Sequence, residues 1–163
     1  MAELTQLESK LGEVIGLAQA AQDATRKVAK LVDDDEVKGT LHTMRAEAKE
    51  TADRGMKLAS TLNGKKTAVQ KKARETKAEA TEMMDTYLGD DADGLDGLEF
   101  LIMAEAGELG HVEIVCKMNE QAKDAKIGKL ATWALEVQSR HFEQTRAAAL
   151  KLAAQEDPNE IEG

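Results

Sequence analysis

Apolar or small residues at Leu4, Leu7, Leu11, Val14, Ala18, Ala21, Thr25, Val28 and Val32 step alternately by three and four. That spacing draws one stripe along a helix and predicts a long helix over about 3–32. Asp33, Asp34 and Asp35 follow, supplying an N-cap and negative charge for the next helix start. Val37, Leu41, Met44, Ala48, Thr51, Gly55, Leu58 and Leu62 repeat the rhythm, and Asn63-Gly64 reads as its stop. The basic stretch 65–88 forms helix readily but carries only a thin apolar face: Val69, Ala73, Ala80, Met83, Met84 and Tyr87. It reads as a crossover helix on the outside of a bundle, with its Met83, Met84 and Tyr87 packing on that bundle in preference to the alternative, an interface with another subunit. Gly89–Gly97 is the clearest loop, rich in aspartate and glycine. Two more long helices follow over about 95–121 and 126–154. Their stripes run Leu98, Leu101, Glu105, Glu108, Val112, Val115, Asn119, Ala122 and Ile127, Ala131, Ala134, Gln138, His141, Thr145, Ala148, Leu152. A second stripe through Leu130 and Val137 also keeps His141 inward.

The pattern predicts an all-α domain over 1–154. It has four long helices, with an extended connection carrying an extra helix between the second and third. An acidic tail over 155–163, broken by Pro158, is expected to fray. Composition agrees: 163 residues suit one core, and 2% aromatic residues with a single proline in an alanine-rich chain favour helix over sheet. No apolar run approaches the roughly 20 residues that span a bilayer, so no membrane association is expected.

Charge narrows the partners. The formal net charge of −9 opposes a duplex nucleic acid over most of the surface. The exception is the patch from Lys65 to Lys77 (Lys65, Lys66, Lys71, Lys72, Arg74, Lys77). It is either a solvated helix face or a docking patch for an anionic partner. Cys116 is the only cysteine, which rules out an intrachain disulfide and a paired-cysteine zinc site. Residues 1–10 lack the pattern of a signal peptide, so a cytoplasmic location is expected. Neither a phosphate-cradling glycine loop nor a nucleophile elbow is present, and Cys116 falls on an apolar stripe, so covalent catalysis finds no support.

The informative residues are polar ones at inward positions, since an uncompensated buried carboxylate costs several kcal/mol. Glu105 and Glu108 occupy consecutive core positions of the third helix, and His111 lies at the edge of that face. Gln138-x-x-His141 sits at the centre of the fourth. Antiparallel packing brings Glu105, Glu108 and His141 to similar depth, where carboxylate and imidazole suit a divalent metal. The same residues also suit a hydrogen-bonded polar layer that fixes helix register. On the first two helices, Glu47 flanks the stripe, Gln19 and Gln22 are weak donors, and His42 reads as a surface residue.

These stretches resemble ferritin-like proteins, in particular a small bacterial stress-associated Yci-type branch and, more distantly, rubrerythrin, over about residues 4–154. The strongest similarity is Gly94-Leu-Asp-Gly-Leu-Glu-Phe-Leu-Ile102 followed by His111-Val-Glu-Ile114. Gly107-Glu108-x-x-His111 with Gln138-x-x-His141 is similar to the rubrerythrin pairing of Gly-Glu-x-x-Glu with Glu-x-x-His, and Glu50-Thr51 and Asn63-Gly-Lys-Lys66 are also similar to the Yci-type branch. The resemblance implies a ferritin-like four-helix bundle with a long crossover, and iron or manganese held by Glu105, Glu108, His111, His141 and Glu47. It further implies a homo-oligomer such as a dimer and a stress or redox role, with Gln138 orienting His141. The chain departs from the family at Gln19 or Gln22, at Ala48-x-x-Thr51, at Gly110 and at Gln138, so a complete two-metal site is not supplied. A metal-free bundle serving as a structural or partner-binding protein is the other function it implies.

Overall fold

A computed structural model describes all residues 1–163. The chain forms five helices and no strand: α1 (Gln6–Ala29), α2 (Asp35–Ala59), α3 (Lys66–Tyr87), α4 (Gly94–Ala122) and α5 (Ala125–Ala153). Short polar side chains start four of them. Thr5 and Glu8 exchange side-chain and backbone hydrogen bonds in a capping box at α1, and Asp93 and Asp96 do the same at α4. The Asp34 carboxylate accepts from the Val37 amide at α2, and the Asp124 carboxylate accepts from the amides of Lys126 and Ile127 at α5. At the other end, α2 stops at Ala59, short of the expected Asn63-Gly64. There the Ser60 hydroxyl donates back to the Met56 carbonyl at 3.1 Å and the Thr61 hydroxyl to the Leu58 carbonyl at 2.7 Å. Such bonds compete with helix continuation. Gly64 completes the turn at a φ of 71°.

Four helices close a ring in which α1 packs on α2 and α4, and α5 on α4 and α2, while α3 lies outside against α1. The two apolar clusters give the directions. Leu11, Ile15, Leu58, Val69, Val112 and Ile127 share one end, and Val28, Val37, Leu41, Leu98, Ala148 and Leu88 share the other. Thus α2 and α4 run the same way, each antiparallel to α1 and α5, and α3 travels the length of the bundle to join them. No helix is long and apolar enough to cross a membrane. Between the clusters the core is interrupted by buried Glu105, Glu108, Gln138, His141 and Thr51.

The seat of α3 depends on close backbone approach. A Cβ on Gly16 would stand 2.4 Å from the Ala73 carbonyl oxygen and 2.8 Å from the Thr76 Cβ, whereas one on Gly39 would meet nothing within 4 Å. Three of the six cations of the basic stretch dock it on α1. Lys65 pairs with Glu8, Lys72 with Glu13 and Lys77 with Asp23, all on α1, and Lys71 pairs with Glu75 within α3. Met84 is buried, but Met83 and Tyr87 remain exposed rather than packing fully on the bundle. Gly16→Ala is expected to lower stability by about 1–2 kcal/mol, because overpacking outweighs the helix-propensity gain. Gly39→Ala should instead raise stability by up to about 1 kcal/mol. Urea midpoints of the two variants check both signs.

Candidate functional site

The polar interruption of the core is built from three helices. Glu105 and Glu108, three apart on α4, face Gln138 and His141, three apart on α5, and Glu47 of α2 closes the layer from beside them. Gln138 Nε2 donates to Glu105 Oε2 and, at 2.8 Å, to Glu108 Oε2. The amide therefore straddles the two carboxyl groups; it does not orient His141. His141 Nε2 lies 3.2 Å from Glu47 Oε1, and Arg140 forms a tight ion pair with Glu47 Oε2. The other imidazole nitrogen, Nδ1, lies 3.8 Å from Glu105 Oε2.

Burial sets the protonation states. It pushes the Glu105 carboxyl up to about 7, against the hydrogen bonds from Glu108 and Gln138 that favour its charged form. Glu108 is raised well above the usual carboxylate range by burial first, then by the Glu105 charge and the hydrogen bond to Glu105. Near pH 7 the pair thus retains protons, with Glu108 the donor. Burial also lowers His141, which the Glu47 hydrogen bond and charge oppose and the Arg140 charge reinforces. The imidazole is neutral at pH 7, so its single N–H goes from Nε2 to the Glu47 carboxylate. That leaves a lone pair on Nδ1 facing Glu105.

Of the five residues singled out for metal, four meet in this layer, Glu47 indirectly through His141. His111 does not join them. Six residues beyond Glu105 it stands about 120° round α4 from that residue, where its Nδ1 bonds the Gly107 carbonyl oxygen at 2.8 Å and its Nε2 lies 3.4 Å from Glu13 on α1. No three His, Cys, Asp or Glu side chains converge as a ready-made cage for a metal ion. The donor chemistry around Glu105 fits one ion: a free imidazole nitrogen and a carboxylate face each other, with a second carboxyl a helical turn away, provided that the Gln138 amide yields the carboxylates. It does not fit two, because the facing side of α1 and α2 offers Gln22, Ala48 and Thr51. Gln22 bonds its own helix at Ala18, and the Thr51 hydroxyl bonds the Glu47 carbonyl.

The sequence pattern did not disclose the Arg140–Glu47 pair, although Arg140 directly precedes an inward histidine. Nor did it disclose Arg54, whose guanidinium carbon lies 3.9 Å from the centroid of the Trp133 ring. Cys116 is half-buried, its thiol within 3.7 Å of the Ala131 carbonyl oxygen and pushed up by burial, which keeps it protonated. Compared with protein-family models, with curated proteins and with solved structures, the chain matches none.

Proposed function

We propose that this chain is a ferritin-like bundle that holds one divalent transition-metal ion, iron or manganese, through Glu105, Glu108 and His141, in a redox or stress-related role. The observation that carries this reading is the orientation of His141. Its Nε2 is tied to a carboxylate and its Nδ1 is left free towards Glu105, the arrangement in which an outer carboxylate fixes the tautomer of a metal-binding histidine. Glu47 thereby acts behind the histidine, with Arg140 balancing its charge. Two helical hairpins joined by a crossover the length of the bundle also support the ferritin-like part of the reading. A bound ion of this kind would supply one-electron redox chemistry. The protein's own residues supply the site, its burial and a neutral imidazole.

A second reading rests on Gln138, whose amide serves both carboxyl groups at once. On that reading the layer is complete with protons alone and sets the register of α4 against α5. Metal analysis separates the two. Chelator-stripped protein, loaded anaerobically with Fe²⁺ or Mn²⁺ and desalted, is expected to retain about one ion per chain. Binding should also raise the melting temperature, since an ion at about 100-fold its dissociation constant adds roughly 2.7 kcal/mol. His141→Ala and Glu108→Ala should each weaken retention at least tenfold, and His111→Ala should leave it unchanged. Retention of no metal by the wild-type chain would overturn the metal reading in favour of the proton-sharing layer.

A further inference from the structure

Where the C-terminal half of α2 meets the N-terminal half of α5, a hollow of about 490 Å³ opens over the buried Leu58 and Leu130. Arg54 and Lys57 line it from α2, Lys126 and Lys129 from α5, and no acidic residue does. Each pair is three residues apart, so both members share one face of their helix. In a chain of net charge −9 this is the reverse of the general surface. Lys57, Lys126 and Lys129 are exposed and form no ion pair, unlike the lysines that dock α3 on α1. The carboxylates beside them in the two helices are committed elsewhere. Asp53 pairs with Lys49, and Asp124 accepts the amides of Lys126 and Ile127 at the start of α5. Glu50 Oε1 accepts from Arg54 Nε and, at 2.7 Å, from Nη2, which leaves the other guanidinium N–H groups free. Three unbalanced lysines and part of a guanidinium fork thus surround a hollow that no side chain fills.

We infer that this hollow is a binding site for a triphosphate chain, free or carried by a nucleotide, held by Lys57, Lys126 and Lys129 with the Arg54 fork on one phosphate. Charge complementarity selects an anion with several charges, and lysine and arginine both suit phosphate oxygens. Size selects a chain over a single phosphate. The hollow has roughly three times the volume of about 150 Å³ that holds a benzene ring, and its cations stand on two helices whose axes are about 8–10 Å apart. One phosphate, smaller than that ring, leaves most of the hollow open and reaches only some of the cations. A long nucleic acid would have to leave the hollow and cross acidic surface, which repels it. The site shares no residue with the buried carboxylate layer and does not rest on the metal reading.

The test titrates chelator-stripped protein, without divalent metal, with tripolyphosphate, adenosine triphosphate, orthophosphate and a single-stranded DNA, followed by calorimetry and tryptophan fluorescence. Trp133, the only tryptophan, reports occupancy because the Arg54 guanidinium carbon stands 3.9 Å from the centroid of its ring. Tripolyphosphate is expected to bind at one site, to shift the Trp133 emission and to bind at least tenfold more tightly than orthophosphate. Equal binding of the nucleotide assigns the triphosphate group as what is recognised, and binding of tripolyphosphate alone assigns the free chain. Lys57→Gln, Lys126→Gln and Lys129→Gln should each weaken binding about fivefold, and the triple variant about a hundredfold, with the melting temperature unchanged. Lys66→Gln and Arg74→Gln, which remove cations of α3 that also lack an ion pair, should leave the affinity unchanged, as should His141→Ala. No saturable binding of tripolyphosphate, orthophosphate binding as tightly, an equal loss in the α3 variants, or tighter binding of the DNA would overturn the inference. None of these outcomes decides the metal reading, which is scored by metal retention alone.

Discussion

Replacing Gln138 by leucine is expected to destabilise the metal-free protein by roughly 3 kcal/mol at pH 8, and by about 1–2 kcal/mol at pH 5. The amide is the hydrogen-bond donor that α5 provides to both carboxyl groups, and it reaches them in a buried layer of the core. Without it, the Glu105 carboxylate, which is ionised above about pH 7, has only the Glu108 proton for support at this depth. At pH 5 both groups are protonated and each supplies its own O–H, so only the accepted hydrogen bonds are lost. Denaturant titrations at the two pH values check the difference. An equal loss at both would mean that Gln138 acts by packing alone. Adding Glu105→Leu and Glu108→Leu to Gln138→Leu should recover much of the loss, because the uncompensated polar groups are then gone, whereas metal retention should not return.

Stability of the metal-free chain should also fall as pH rises above about 6.5. A carboxyl whose pKa is raised on folding binds more protons in the folded than in the unfolded state once pH exceeds its ordinary value of 4.5. Each pH unit up to the folded pKa then removes about 1.4 kcal/mol per protonated carboxyl. For Glu105 that window runs from 4.5 to about 7, and for Glu108 it extends well beyond the usual carboxylate range. His141, whose pKa is lowered on folding, acts in the opposite sense below its ordinary 6.5. The carboxylates are therefore seen most clearly above that value. Glu8, Glu13 and Asp34 are held below their ordinary values and contribute a loss only on acidification below about pH 4.5. Glu108→Gln keeps the shape but cannot ionise, and it relieves the charge repulsion between the pair. It should flatten the decline and make the variant the more stable protein at pH 8.5. A wild-type profile that stays level from pH 6.5 to 8.5 would contradict the protonation states assigned to the pair.

The three-and-four rhythm located four of the five helices and most of the buried positions on them, because burial in a bundle follows helical period; it left out Ile15, Ala24, Ala52, Phe100 and Ala149, and of the thin face read on α3 only Val69, Ala73 and Met84 are buried. It failed where a side chain decides the outcome: α2 ends early because Ser60 and Thr61 turn their hydroxyls back on the helix. The seat of α3 was illegible for a related reason, since it depends on the bare backbone at Gly16 meeting Ala73. In the site, Glu105, Glu108, Gln138 and His141 were legible as inward residues. The period gives a residue's face but not where its terminal atoms go. Hence the direction of the Gln138 amide, the Glu47–Arg140 pair and the turn of His111 towards Glu13 emerged only with the helices assembled.

Anomalous diffraction from crystals grown anaerobically with Mn²⁺ tests the central claim most directly. A single strong peak is expected inside the bundle between His141 Nδ1 and the carboxylates of Glu105 and Glu108, with Gln138 displaced from them and Nε2 still bonded to Glu47. Peaks confined to surface carboxylates such as the aspartates of the 89–93 loop, with the Gln138 bridge intact, would contradict it.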